Sequence, residues 1–148
     1  MRGITIRQPH AWAVVYADKI ENRSRNIAGS YRGWVAIHAG RERDDRWMYG
    51  YAWPAGAPTP RMDDAPTGVV IGVARLVDVH HWRDEDDCNG AIGDDGEPTC
   101  SPWGMADHWH LVWADRTPLP HPIPWRGALG LWTVPDELEA AIREQVTL

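Results

Sequence analysis

Fourteen glycines and twelve prolines divide this chain of 148 residues into apolar stretches of strand length. The longest stretch, GVVIGVARLVDV at 68–79, carries Gly72 in its middle, which predicts a bulge or a bend. Short strands interrupted by glycine favour a small curved sheet or barrel over a repeating βαβ layer. We therefore predict an α+β fold, a small curved mixed sheet or β-barrel of about five to six strands with two or three helices.

Two long irregular stretches, 41–67 and 80–104, separate the predicted elements and are interpreted as variable loops of a single domain, 1–148. Residues 41–51 could form a short exposed helix within the first loop. The prolines of 117–124 predict an extended segment that is not a central strand. Residue periodicity predicts strands at 3–7, 33–40, 68–79, 109–114 and 127–134, and helices at 9–18 and 136–146.

The formal net charge of −6 hides opposite charge balances in two parts of the chain. Residues 1–43 carry eight Arg or Lys against three Asp or Glu, whereas residues 76–148 carry four against fourteen. Because an electrostatic field acts locally, over about 8 Å in physiological salt, an acidic protein can carry a basic face. The total charge argues against extended, non-specific binding to duplex DNA but permits a small site for a nucleotide or a few bases.

No apolar run approaches eighteen residues, and MRGITIRQP at the start has no signal-peptide core. We therefore expect no membrane association and a cytoplasmic location, in which Cys88 and Cys100 stay reduced. Eleven residues separate these cysteines without a CxxC motif, so the spacing matches no common zinc motif. We predict no metal and no other cofactor, although a site built from His81, Cys88, Cys100 and His108 is the alternative.

A charged cluster directly after the first predicted helix is the main candidate for a binding site. In an extended segment, Lys19, Glu21 and Arg23 would point one way and Asn22 the other. A carboxylate flanked by cations stays ionised and could accept hydrogen bonds from a base, while arginine binds phosphate or a base edge. The alternative is a surface salt-bridge cluster that contributes little.

Other candidate ligand-binding residues lie in turns and at strand ends. Gln8 could read a base edge and Trp12 could stack on a base, although a tryptophan on this helix is equally expected in the core. His38 ends a strand, where a histidine is more often structural than catalytic. The remaining candidates are Pro9, Arg32, Trp125 and Arg126.

Three blocks of the sequence together resemble the ASCH domain family, a branch of the PUA-like fold. They are ITIRQPHAWAVV at 4–15, IENRSRNIAGSYRGWVAIHAG at 20–40 and WHLVWADRTPLPHPIPWRGALGLWTVP at 109–135. The resemblance implies a PUA-like barrel whose cleft, beside the first helix, is lined by the Gln-Pro turn and the Lys/Glu/Arg element. In the family this cleft is thought to hold RNA or a modified nucleoside.

From this resemblance we expect a domain that binds RNA, another single-stranded nucleic acid, or a modified nucleoside or nucleotide. Replacing Arg23 or Glu21 with alanine is then expected to reduce binding without unfolding the protein. A different class of function is a protein-interaction domain that uses exposed tryptophans of the 41–67 loop.

The alternative within the family is a hydrolase of an acyl-modified nucleoside, of the acetylated cytidine type, or a ribonuclease. Lys19 would then be the base or an electrostatic group, and Glu21 the carboxylate partner. Where the family often has a lysine, three residues before the glutamate, this chain has Asp18. The deacetylating members have a Thr nucleophile at roughly the place of Glu21, and the sequence beside this cluster shows no clear replacement for it.

Overall fold

A computed structural model describes residues 1–93 and 95–148 of the chain. Short 3₁₀ helices cover Arg46–Tyr49 and Met62–Asp64. In the described ranges no helix is long and apolar enough to cross a membrane. The strands are β1 (Arg2–Gln8), β2 (Glu21–Arg23), β3 (Gly33–Arg43), β4 (Val69–His81), β5 (Ala91–Ile92), β6 (Pro98–Thr99), β7 (Trp109–Pro124) and β8 (Leu131–Thr133), and the α-helices are α1 (His10–Tyr16) and α2 (Asp136–Arg143).

Six strands form one mixed sheet in the order β2-β7-β4-β3-β1-β8, and β5 pairs with β6 separately. Strands β1 and β3 are parallel, and the other neighbouring pairs are antiparallel. Within the described residues the sheet is open, so the prediction of a closed barrel was wrong while the α+β class is confirmed. Both edge strands are three residues long, and the prolines at every second position from Pro118 to Pro124 lack the N–H donors that a further strand would need.

Alternation along the strands gives the sheet two apolar faces, each covered by one helix. On β3, Val35, Ile37 and Ala39 belong to the cluster that packs with α1. Ala36 belongs instead to the cluster that includes Leu138 and Ile142 of α2. The sheet is therefore buried between two helices, and the binding surface has to lie at an end or edge of the sheet.

Between Val70 and Gly72, the register of β4 shifts against both of its neighbours, β3 and β7. A Cβ atom on Gly72 would lie 2.9 Å from the carbonyl oxygen of Thr117 and 3.0 Å from a methyl group of Val15. The predicted bulge is confirmed, because only a glycine allows β7 and α1 to approach β4 this closely.

Several element boundaries differ from those predicted. Helix α1 ends at Tyr16 rather than at residue 18, since Asp18 adopts a φ of 60° outside the helical range. The predicted strand 127–134 is reduced to β8, and its glycine-rich first half is irregular. Strand β2, whose residues are polar, was not predicted as a strand and pairs with the buried start of β7.

The two predicted variable loops are packed against α1. The short helix predicted at 41–51 is instead the end of β3 followed by a 3₁₀ turn. Beyond it, Trp53 is only 6% exposed and makes an edge contact with Trp103 of the second loop at 4.9 Å. These tryptophans pack with Ala13 and Ile20, so the loops form a second small core behind the helix.

Candidate functional site

A cleft of about 910 Å³ opens where β1, β2 and β3 meet three loop segments. Its volume is in the range of small-molecule and nucleotide sites. Strand β1 contributes Thr5 and Arg7, while Ile4 and Ile6 of the same strand point into the core. The loop segments lie within 44–52, 105–108 and 125–130.

The predicted charged cluster forms one wall of this cleft. The Lys19 ammonium lies 3.3 Å from Oε2 of Glu21 and donates a hydrogen bond to the Ile20 carbonyl at 2.8 Å. The Arg23 guanidinium lies 3.0 Å from Oε1 of Glu21, and its Nη2 donates to the Thr5 carbonyl. The carboxylate is thus held between two cations.

Unlike a surface salt bridge, this group of charges is buried. Lys19 is 2% exposed and Glu21 6% exposed. Burial lowers the pKa of Lys19, and the neighbouring carboxylate opposes that shift. Burial acts to raise the pKa of Glu21, but the charges of Lys19 and Arg23 outweigh it and hold this pKa below its ordinary value.

A second polar pair, His10 and Asp44, lines the cleft beside this cluster. Nε2 of His10 lies 3.3 Å from Oδ2 of Asp44, and both side chains are buried. Arg46 binds both oxygens of Asp44 through its guanidinium, at 2.9 and 2.8 Å. These hydrogen bonds from Arg46 lower the pKa of Asp44 well below its usual range.

Burial lowers the pKa of His10 to about 4, and the Lys19 charge acts in the same direction. This value lies below the ordinary pKa of 6.5, so the unfolded chain binds an additional proton between these values. The stability that rests on a neutral His10 is full above pH 6.5 and is lost as the pH falls towards 4.

We therefore expect the free energy of unfolding to fall by about 3 kcal/mol from this group alone as the pH drops through that window. Urea unfolding at a series of pH values measures the loss. The variant His10→Gln should show a shallower pH dependence than the native protein, whereas His121→Gln, at an exposed position, should not. An unchanged slope in the His10 variant would contradict the assignment.

The opposite wall of the cleft contains His38 and the segment that begins at Trp125. His38 is 2% exposed, and its Nε2 donates to the Trp125 carbonyl at 2.9 Å. Its Nδ1 and the hydroxyl of Thr5 are both buried without a hydrogen-bond partner among the described residues. A Cβ atom on Gly127 would collide with both side chains, so the chain passes directly over them.

The sequence-predicted residues divide into two groups. Those that line the cleft are Lys19, Glu21, Asn22, Arg23, His38, Trp125 and Arg126, whereas Gln8, Pro9, Trp12 and Arg32 lie outside it. Gln8 shares the core-facing side of β1 with Ile4 and Ile6, and its buried amide binds the Pro66 carbonyl and the Trp12 N–H. Trp12 packs against the small core formed by the two loops behind α1, and its ring stacks on that of Tyr16.

Arg32, another of the predicted ligand-binding residues, is also remote from the cleft. Its guanidinium donates to the Gly29 and Tyr31 carbonyls within its own turn, and it lies 4.0 Å from Asp78. Asn22 does line the cleft, but its side chain bridges the Trp103 carbonyl of the second loop and the Met105 N–H directly after this loop. It therefore ties that loop to β2.

Several residues of the cleft were not predicted from the sequence. The alternation of β1 could have identified Arg7, which shares the polar side of that strand with Thr5. No sequence signal brings His10 next to Asp44, since their approach depends on the path of the chain after β3. The basic residues around the cleft, all within the described ranges, are Arg7, Lys19, Arg23, Arg41, Arg46 and Arg126, against the carboxylates Glu21 and Asp44.

The structure, more than the sequence, relates this chain to known proteins. No family model matches the chain, and no curated protein matches it in sequence. The crystal structure of ASCH from Zymomonas mobilis, 15% identical, matches over 97% of this chain and 93% of its own with a TM-score of 0.56. A variant of that protein, 16% identical, matches over 97% and 96% with a TM-score of 0.56. The chain therefore has an ASCH domain fold, as the three sequence blocks predicted.

Proposed function

We propose that this protein binds single-stranded RNA, or a nucleotide with a modified base, in the cleft between β2 and the segment 125–130. The observation that carries the proposal is the charge of the cleft. Six basic side chains surround two carboxylates there, although the whole chain has a net charge of −6. A concave basic site on an acidic protein favours a small anionic ligand over a long duplex.

The exposed cations are suited to contact phosphates. Arg41 and Arg126 are exposed, and neither makes an ion pair with a described residue. Arginine donates two parallel hydrogen bonds to a phosphate, and each such contact releases a counterion from a nucleic acid. Binding is therefore expected to weaken as the salt concentration rises.

Groups deeper in the cleft are suited to contact a base or a ribose. Nδ1 of His38 has no hydrogen-bond partner among the described residues but lies beneath Gly127, so a ligand would contact it only once the segment 125–130 moves aside. Burial keeps the pKa of this imidazole below its ordinary value, so that the ring is neutral. The Thr5 hydroxyl beside it can donate as well as accept. Trp125 and Tyr51 line the same cleft and offer aromatic faces for stacking.

The experiment is a titration of the native protein with a fluorescently labelled single-stranded RNA of about six nucleotides, the lower part of the range one compact domain covers. Matched DNA and unlabelled nucleosides serve as competitors. We expect saturable binding at low salt, with RNA preferred over DNA through contacts to the 2′-hydroxyl. No binding of RNA, DNA or nucleoside at low salt would overturn the proposal.

A second candidate is hydrolysis of an acyl-modified nucleoside or of RNA, and one observation favours it. The Thr5 hydroxyl and the neutral His38 imidazole both lie under Gly127, and a hydroxyl near an imidazole could act as a nucleophile with its general base, although the two make no hydrogen bond to each other here. Incubation with acetylated cytidine and with labelled RNA tests this activity. Turnover that Thr5→Val abolishes supports it, whereas no turnover leaves binding as the function of the cleft.

A further inference from the structure

Four side chains away from the cleft bring their metal-binding atoms together. These atoms, on His80, Cys88, Cys100 and His110, all lie within 4.8 Å of one another. Three of the residues are buried, and Cys100 is half-buried. Two thiols and two imidazoles at such distances form the donor set of a structural zinc centre.

The distances within the cluster agree with tetrahedral coordination. Sγ of Cys88 lies 3.3 Å from Nδ1 of His110, and Sγ of Cys100 lies 3.5 Å from the same nitrogen. A zinc ion with ordinary bond lengths holds a thiolate sulfur and an imidazole nitrogen about 3.6 Å apart. The cluster could therefore receive an ion with little rearrangement.

Both imidazoles are oriented as metal ligands by groups outside the cluster. Nε2 of His110 donates to the Met105 carbonyl at 2.8 Å, which leaves the lone pair of Nδ1 directed at the sulfurs. Nδ1 of His80 lies 2.6 Å from the Asp78 carboxylate. Nε2 of His80 is buried and has no hydrogen-bond partner among the described residues, as expected of a ligand nitrogen.

We propose that His80, Cys88, Cys100 and His110 bind a structural zinc ion. The four side chains supply all four ligands of a tetrahedral site, so no position remains for substrate. This replaces the sequence-based expectation of no metal, and it selects different histidines from the alternative with His81 and His108. His80 and His110 are paired across β4 and β7, whereas His81 points to the other side of its strand.

The ion would fasten the second loop to the sheet. Both cysteines lie in the loop, and both histidines lie on neighbouring strands. The segment that joins this loop to β7 contributes Met105 and His108 to the cleft. Loss of the metal is therefore expected to loosen one wall of the cleft, although the zinc site itself does not depend on what the cleft binds.

The test is metal analysis of the native protein, purified without chelator under reducing conditions. We expect about one zinc ion per chain. Replacement by Co²⁺ should give the visible absorption of tetrahedral cobalt and the near-ultraviolet band of thiolate ligands. The variants Cys88→Ser and Cys100→Ser should lose the metal, and the second change is at a half-buried position that the fold should tolerate.

His81→Ala is the matched control, since it removes a neighbouring histidine outside the cluster and should keep the zinc. Asp78→Asn should weaken zinc affinity by about 10–100-fold, measured against a chelating dye, because Asp78 orients His80. No stoichiometric zinc in the reduced native protein, or zinc retained by both cysteine variants, would overturn the proposal. So would a disulfide between the two cysteines in protein that binds neither Zn²⁺ nor Co²⁺.

Discussion

Replacing Glu21 with glutamine is expected to lower the free energy of unfolding by about 3–5 kcal/mol. The substitution leaves Lys19, only 2% exposed, without its 3.3 Å counterion, and it also removes the charge opposite Arg23. An uncompensated buried ammonium either bears the cost of desolvation or loses its proton. Urea unfolding at neutral pH measures the change.

The control is Glu42→Gln, which breaks an ion pair of similar length with Arg7. That pair is 2.8 Å long, but its side chains are 77% and 58% exposed, so its loss should change stability by no more than about 1 kcal/mol. Adding Lys19→Met to Glu21→Gln should restore part of the stability, since the buried ammonium is then gone. Equal, small losses for Glu21→Gln and Glu42→Gln would contradict a buried ion cluster.

The burial of Glu21 leads to a different expectation from the one made from the sequence. There, substitution of Glu21 was expected to reduce binding without unfolding the protein. Because the carboxylate is 6% exposed and holds two cations together, its loss acts on the fold as well as on the cleft. Binding is better tested at exposed cations.

Replacing Arg41 and Arg126 together with glutamine is expected to reduce the affinity for RNA by about 100-fold or more. A hydrogen bond to a charged group contributes about 1.5–3 kcal/mol, and the two contacts are independent if they reach different phosphates. The dependence of binding on salt should also become shallower, with a slope smaller by about 1.4, because each phosphate contact in a single strand contributes about 0.7. Anisotropy titrations at several salt concentrations measure both quantities.

The matched control is the double variant Arg32→Gln/Arg143→Gln. It removes the same total charge from two arginines that lie outside the cleft, in the turn before β3 and on α2. Its affinity and salt slope should stay close to those of the native protein. Equal losses in the two double variants would mean that RNA responds to the overall charge and not to the cleft.

The sequence predicted much of the fold because its periodicity is local. Apolar stretches of strand length identified β3 and β4, and the bulge at Gly72 follows from a glycine inside a buried strand. Whether the sheet closes into a barrel cannot be predicted from such local periodicity. Closure depends on whether β2 and β8 meet across the fold, and the short edges and the prolines of β7 leave them apart.

The part of the candidate site that lies on one short segment was predicted from the sequence. Lys19, Glu21 and Arg23 are close in sequence, and an extended chain brings their charges to one side. Gln8 was misplaced because its prediction rested on the Gln-Pro turn and not on the alternation of β1, which puts this residue with the core. Asp44 was missed because its contact with His10 joins two elements whose separation in space cannot be read from their spacing.

The histidines of the proposed zinc site illustrate the same limit. Eleven residues separate the two cysteines in the loop, and His80 and His110 face each other only through the register of β4 and β7. A shift of one residue in that register would have exchanged the side chains that face the loop.

The most direct test of the account is an NMR titration of the ¹⁵N-labelled native protein with the six-nucleotide RNA. We expect the largest shifts of backbone amides at Arg23, His38, Arg126 and Gly127, on the two walls of the cleft. Shifts confined to α2 or to the tryptophan-rich loop at 41–67, or no shifts at all at low salt, would contradict the cleft as the binding site.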